Sequence, residues 1–332
     1  MKFAIMATGG IAGSMAYTVS EMLNRAKAAG EELQLEKYAV ASRSLEKAQE
    51  FARKWGFEKA YGSYEELVQD PEVDLVYVAT PHSHHYANTK LCLENGKGAL
   101  VEKAFTVNAK QAKELVEIAR EKNVLLAEAF WTRYMPARFM IEEMIAKDMI
   151  GEVTSVTSDF GFPLEHIKRM TEPELAGGAL LDLGVYPLNF ALMFCKSPVK
   201  QVVSSAVMSE KGVDMANSMA LTFEDNVMAI LHSNMRSPMR GEGVIYGKKG
   251  RIVVRGMNCI QDITVYNKDG QVVEYQKAPE MISGYEYEVL DCMKALSEGK
   301  CECEKMPHSD TLRMMELLDI MRGQWGLKFP CE

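Results

Sequence analysis

Residues 2–13 read KFAIMATGGIAG. An apolar run through Met6 enters Ala7-Thr8-Gly9-Gly10, and from Ile11 apolar residues recur with a helical period to about residue 29. A strand without polar interruption that ends in glycine and turns into a helix is the opening unit of a parallel sheet buried on both faces. The turn fits G-x-G-x-x-G/A at its second and third sites, Gly9 and Ala12, with Ala7 at the first. A side chain at Gly9 would keep the backbone from a pyrophosphate, and a small residue at Ala12 lets helix and strand pack closely. The pattern alone also describes a glycine turn that merely joins strand to helix.

The surroundings favour the dinucleotide reading. Strands at 35–41, 74–79, 98–101 and 124–127 alternate with helices at 45–54, 83–94 and 109–122, an order that calls for a doubly wound parallel sheet of Rossmann type over residues 1–130. A helix beginning after Gly9 aims free N–H groups at phosphate, so Thr8, Gly9, Gly10, Ile11 and Ala12 are the candidate phosphate turn. Beyond residue 130 the pattern changes. A helix at 137–147 precedes strands at 153–160, 199–208, 216–223, 227–234, 243–246, 252–254, 263–266 and 272–275, and helices at 285–297 and 309–322 close the chain. Short turns between strands favour a large, mostly antiparallel open sheet, giving residues 131–332 an α+β fold, whose open face a substrate-binding and dimerisation domain would use.

The 332 residues, 47% apolar and 25% charged, suffice for two cores. Net charge is 38 − 46 = −8, without a basic run that could track a phosphate backbone, which argues against a nucleic-acid partner. The opening residues lack a secretory h-region, and no stretch of about 20 uninterrupted apolar residues suggests a membrane span, so a cytoplasmic protein is expected. Seven scattered cysteines fit reduced thiols. Cys301, Cys303 and His308 form the one cluster hinting at metal, but they lack a second pair at zinc spacing, and no metal is expected.

A nicotinamide site that prefers NAD places a carboxylate at the end of the second strand. Here that strand ends in Ser42-Arg43, which suits a 2′-phosphate and favours NADP, with NAD possible and Arg43 as a solvated helix-start residue the plainer alternative. Ligands in such sheets bind outside the carboxyl ends of the strands. The segment Thr80-Pro81-His82-Ser83-His84-His85 and the pair Glu102-Lys103 therefore face the cofactor crevice, with His84 read as a surface residue. Downstream, Asp182 and Tyr186 in GGALLDLGVYPL (177–188) stand at i and i+4 on one helix face.

Together these residues resemble the Gfo/Idh/MocA family, over essentially the whole chain. EAFWTRYMP (128–136) and GGALLDLGVYPL look most like its branch of dimeric dihydrodiol dehydrogenases and NADP-dependent D-xylose dehydrogenases. The resemblance implies that Lys103, from a Glu-Lys-Pro motif, is catalytic and that Tyr186 stands where many members have His. It also implies a homodimer acting on a sugar, polyol or diol. Three positions depart from the pattern: Ala7 replaces the first glycine, Ala104 replaces the motif proline and with it any easy cis bond, and His82 stands where Asn is common.

Oxidising a secondary or anomeric hydroxyl needs a base for its proton, and a free tyrosine, titrating near 10, needs a cation to favour the phenolate. Lys103 is the expected cation, Tyr186 the proton acceptor, and Asp182 the group that orients Lys103 or a substrate hydroxyl. Trp131 and Arg133 offer an aromatic face and a forked donor suited to a sugar ring or diol, although Trp131 equally suits an interface anchor. The plain alternative is a solvated Glu102–Lys103 pair, an Asp182 helix cap and a half-buried core Tyr186. Rival functions are an NAD-dependent inositol-type dehydrogenase and a catalytically silent NADP-binding sensor.

Overall fold

In the computed structural model, which describes residues 1–332 throughout, the opening segment forms β1 (Lys2–Met6) and α1 (Gly10–Ala29). Then follow β2 (Glu36–Ala41), α2 (Leu45–Trp55), β3 (Lys59–Tyr61), α3 (Tyr64–Gln69), β4 (Leu75–Val78), α4 (His82–Glu94), β5 (Gly98–Glu102), α5 (Ala109–Lys122) and β6 (Leu126–Ala129). The six strands are parallel in the order β3-β2-β1-β4-β5-β6. Strand order thus reverses between β1 and β4, which creates the crevice where such sheets bind ligands. All of β4, β5 and β6 is buried, which accounts for their near-continuous apolar sequence.

The short pair β3 and α3 goes beyond the sequence reading. Three half-buried residues carry too little pattern for β3. The start of α3 is nevertheless written locally: Ser63 Oγ accepts from Glu66 N at 3.1 Å, and Glu66 Oε2 accepts from Gly62 N at 3.0 Å.

The later chain forms α6 (Pro136–Ala146), β7 (Val153–Gly161), α7 (Lys168–Thr171), a π-helical turn (Leu180–Gly184) and its continuation α8 (Val185–Phe194). Strands β8 (Val199–Met208), β9 (Asp214–Phe223), β10 (Met228–Asn234), β11 (Glu242–Gly247), β12 (Gly250–Arg255), β13 (Asp262–Asn267) and β14 (Val272–Lys277) precede α9 (Glu286–Ser297) and α10 (His308–Trp325). Eight strands join in the order β14-β13-β12-β11-β7-β10-β9-β8, antiparallel except for β7 with β10. The buried helix α8 packs on β7 and β10 and covers one face of this sheet. Pro173–Phe194 is long and apolar enough by length and composition alone to cross a membrane, but it carries Glu174 and Asp182 and 94% of its most apolar window is buried inside the protein.

The expected single boundary at residue 130 is replaced by an interleaved one: Met1–Tyr134 with Met281–Leu312, and Met135–Glu280 with Arg313–Glu332. The reason is the docking of 281–312 onto the first unit. Leu126 N donates to Cys301 O at 2.9 Å, His308 Nε2 meets Leu126 O at 2.8 Å, and the hydroxyls of Thr18 and Ser283 lie 2.7 Å apart.

Candidate active site

In the first unit the candidate residues gather at the carboxyl edge of the parallel sheet. Gly9 caps α1 in an extended conformation, without a side-chain cap and without an acidic residue in the first turn. The leading N–H groups of α1 are therefore open to an anion. A Cβ built on Gly9 or Gly10 would meet nothing within 4 Å, so the space a bound phosphate needs is left clear in front of both. Ala12 is fully buried and Ile11 half-buried, as close packing behind the turn requires. Ala7, in the place of the first glycine, holds φ at +95°. A cavity of about 970 Å³ opens in front of Thr8, Gly9, Gly10 and Gly13, with Tyr17, Trp55 and Tyr285 in its wall. These features fit a dinucleotide.

At the end of β2, Ser42 is buried and its Oγ accepts from Ser44 N at 3.5 Å. Arg43 is exposed and near enough to Tyr64 and His84 to act on both. Burial raises the Tyr64 pKa and Arg43 opposes it; burial lowers that of His84 and Arg43 adds to the effect. This field of positive charge, without a carboxylate at the strand end, suits a 2′-phosphate.

After β4, Pro81 starts α4, and Thr80 Oγ1 accepts from Asn88 Nδ2 at 3.1 Å. His82 is buried with its ring edge-on to His85, centroids 5.5 Å apart. His85 ties two strand ends together, with Nε2 2.7 Å from Thr80 O and Nδ1 2.8 Å from Ala104 O. Burial pushes its pKa down to about 4 against the pull of those carbonyls, so the ring is neutral near pH 7 and donates to one carbonyl at a time. Both ring nitrogens thus face backbone carbonyls.

Glu102 closes β5, buried, and accepts from the Tyr77 hydroxyl. Lys103 follows, half-buried, and the Lys103–Ala104 peptide bond is cis even though Ala104 replaces the motif proline. Glu102 is thus turned into the core and not solvated at the strand end.

One expectation changes in the turn after β6. Arg133 is fully buried and ion-paired with Asp310, so its guanidinium is committed to the first unit's interior and not offered to substrate. Trp131 stacks on Tyr285 at 4.7 Å between centroids, which places it against the aromatic wall of the Gly9 cavity.

In the second unit, Asp182 lies in the π-helical turn and Tyr186 at the start of α8. Asp182 is 7% exposed and ion-paired with Arg169 at 2.5 Å, a partner that sequence reading did not find. Tyr186 is half-buried with its ring 4.9 Å from that of Phe160. The π turn is held from below. Asp214 Oδ2 accepts from Leu180 N and from Asn217 Nδ2, both at 2.8 Å, and burial raises its pKa to about 6.

Sequence reading missed Tyr285, Tyr17 and Trp55 in the cavity wall, and Tyr77 behind Glu102. Gly9, Gly13 and Tyr17 at i, i+4 and i+8 along α1 were the available signal for one of them. No group of three or more His, Cys, Asp or Glu residues is arranged to hold a metal ion.

A family profile described as an oxidoreductase family with an NAD-binding Rossmann fold matches residues 1–130, and one described as the GFO/IDH/MocA C-terminal domain matches residues 140–253. The chain is 37% identical to the D-xylose 1-dehydrogenase (NADP(+)) of Hypocrea jecorina, over 99% of this chain and 93% of that one. It is 35% identical to the trans-1,2-dihydrobenzene-1,2-diol dehydrogenase of Danio rerio, over 88% and 89%. Among solved structures, the 3-ketoreductase KijD10 of Actinomadura kijaniata, in complex with NADP and TDP-benzene, superposes with a TM-score of 0.87 at 25% identity over 97% of each chain.

Proposed function

The chain belongs to the Gfo/Idh/MocA oxidoreductase family, and on that premise we propose that it transfers hydride between NADP and a secondary or anomeric hydroxyl of a sugar, cyclic polyol or trans-dihydrodiol. The observation that carries this reading is the carboxyl edge of the parallel sheet, where an open Gly9–Gly10 turn, a basic β2 end at Arg43 and the charged β5 end at Lys103 share one side. Bound NADP supplies the hydride acceptor or donor. The N–H groups behind Gly9 hold its phosphates, Ser42 and Arg43 discriminate the 2′-phosphate, and Thr80 and Pro81 with neutral His85 shape the floor. Tyr186 exchanges the proton of the substrate hydroxyl, and Lys103 supplies the positive charge that the developing alkoxide requires. Asp182, held by Arg169, is a positioning residue. Trp131 contributes an aromatic face, braced by Tyr285.

The protein works in this reading as a cytoplasmic homodimer. Ile230 and Val203 lie in one row across the second sheet through Ala220, and Met228 and Tyr246 flank Ser155 in the next. Residues in register share a face, and all four are exposed there, on the side that α8 does not cover.

The test is NADPH formation with D-xylose, D-glucose, inositols and trans-dihydrodiols, beside Lys103→Met and Arg43→Ala. Turnover in the native chain should fall by roughly a thousandfold in Lys103→Met with NADPH affinity kept. Arg43→Ala should weaken NADP about tenfold and leave NAD unchanged. Tight NADPH binding without turnover on the whole panel would favour the sensor, and an NAD preference would favour the inositol-type dehydrogenase.

A further inference from the structure

The amino edge of the parallel sheet, at the other end of the strands from Gly9 and Lys103, carries a second cavity of about 880 Å³. Its wall includes Val73 before β4, Lys97 before β5, Leu125 before β6, and Met293 and Leu296 of α9, all within the first unit. The volume falls within the range of small-molecule sites. Val73 and Leu125 are 3% and 1% exposed and make part of the wall apolar.

Lys97 is the anomaly. It is 7% exposed, and its ammonium has neither an ionic nor a hydrogen-bonding partner in the chain. Its stem is packed into the wall while the ammonium itself stays accessible from the cavity, open to a partner that enters there. The other lysines of the wall, Lys294 and Lys300, are committed to Glu298 and Glu304. The wall's acid, Asp74, accepts from Lys2 N at 2.6 Å. Lys97 is thus the one lysine of this cavity without a carboxylate partner.

We propose that this cavity binds a small monocarboxylate with an apolar tail, its carboxylate on Lys97 and its tail over Val73, Leu125, Met293 and Leu296. A single compact ammonium suits one carboxylate better than the several oxygens of a phosphate, for which a forked donor set is the usual partner. The site is separate from the cofactor turn. Lys97 and Lys103 stand six residues apart along β5, about 20 Å at the rise of an extended strand.

The probes are hexanoate and its neutral counterpart hexanol, titrated into the intact protein with and without NADP and followed by calorimetry and ligand-observed NMR. Saturable hexanoate binding with a Kd of the order of 1 mM is expected, with hexanol at least about tenfold weaker. Lys97→Met should weaken hexanoate about tenfold or more and bring it level with hexanol, Lys97→Arg should retain it, and NADPH affinity should stay unchanged in both. Should Lys97→Met fail to fold, Ser297→Trp at the exposed rim provides the same reading by narrowing the mouth. Absence of saturation up to about 50 mM, equal hexanoate binding in Lys97→Met or in a folded Ser297→Trp, or displacement of hexanoate by NADP would each overturn the proposal.

Discussion

Ala7 and Glu128 show how single positions carry cost. Ala7 holds φ +95°, in the region that disfavours a Cβ, at a cost of about 1 kcal/mol or more. Ala7→Gly relieves that strain and adds up to about 1 kcal/mol of unfolded-chain entropy, so stability should hold or rise by up to about 1 kcal/mol in thermal unfolding. A fall beyond about 1 kcal/mol would show that the methyl group is needed for packing. Glu128 is buried, accepts from Thr311 Oγ1 at 2.8 Å, and burial pushes its pKa up to about 7 from 4.5. Between those values the folded state keeps a proton that the unfolded chain has lost, so this group lowers stability as pH rises from about 4.5 to about 7, by roughly 3 kcal/mol at most. Glu128→Gln removes the titration and can still accept from Thr311. Urea unfolding should find the variant close to the native chain at pH 5 and more stable at pH 8, and an equal difference at both would refute the assignment. The site's residue types were legible because strand ends and glycine turns are local. The burial of Arg133 was not, since Asp310 lies 177 residues away.

Among elements, the π turn is the one whose reading changed most. GGALLDLG reads as ordinary helix, whereas Leu180–Gly184 is wound as a π turn whose first N–H is taken by the buried carboxylate of Asp214 from β9. Gly178 sits at φ +118°, and a Cβ there would stand 2.4 Å from Asp214 Oδ1. Gly178→Ala should therefore destabilise by about 2–4 kcal/mol. Gly270, at φ +79° with open space around it, is the control, where the same change should cost only about 1 kcal/mol. Similar losses in denaturant unfolding would mean that backbone conformation, and not the approach of Asp214, governs both. The long amphipathic helices and apolar strands were legible from periodicity, whereas β3 is too short to show a period.

For the whole molecule, the exposed row through Val203 and Ile230 sets the prediction about assembly. Ile230→Glu places a charge in that face and should shift light scattering from dimer toward monomer at micromolar concentration, with NADPH binding retained. A native chain that is monomeric would overturn the homodimer. By itself the sequence determined the order of strands and helices, the change from parallel to antiparallel pattern near residue 130, and the glycine turn after the first strand, because these rest on the local period of apolar residues and on glycine's freedom. Tertiary structure decided what distant segments bring together: 281–312 docked onto the first unit, Asp310 neutralising Arg133, Asp214 holding the π turn and Tyr285 lining the Gly9 cavity. Long-range pairings depend on burial and charge compensation between segments that leave no mark in each other's local pattern.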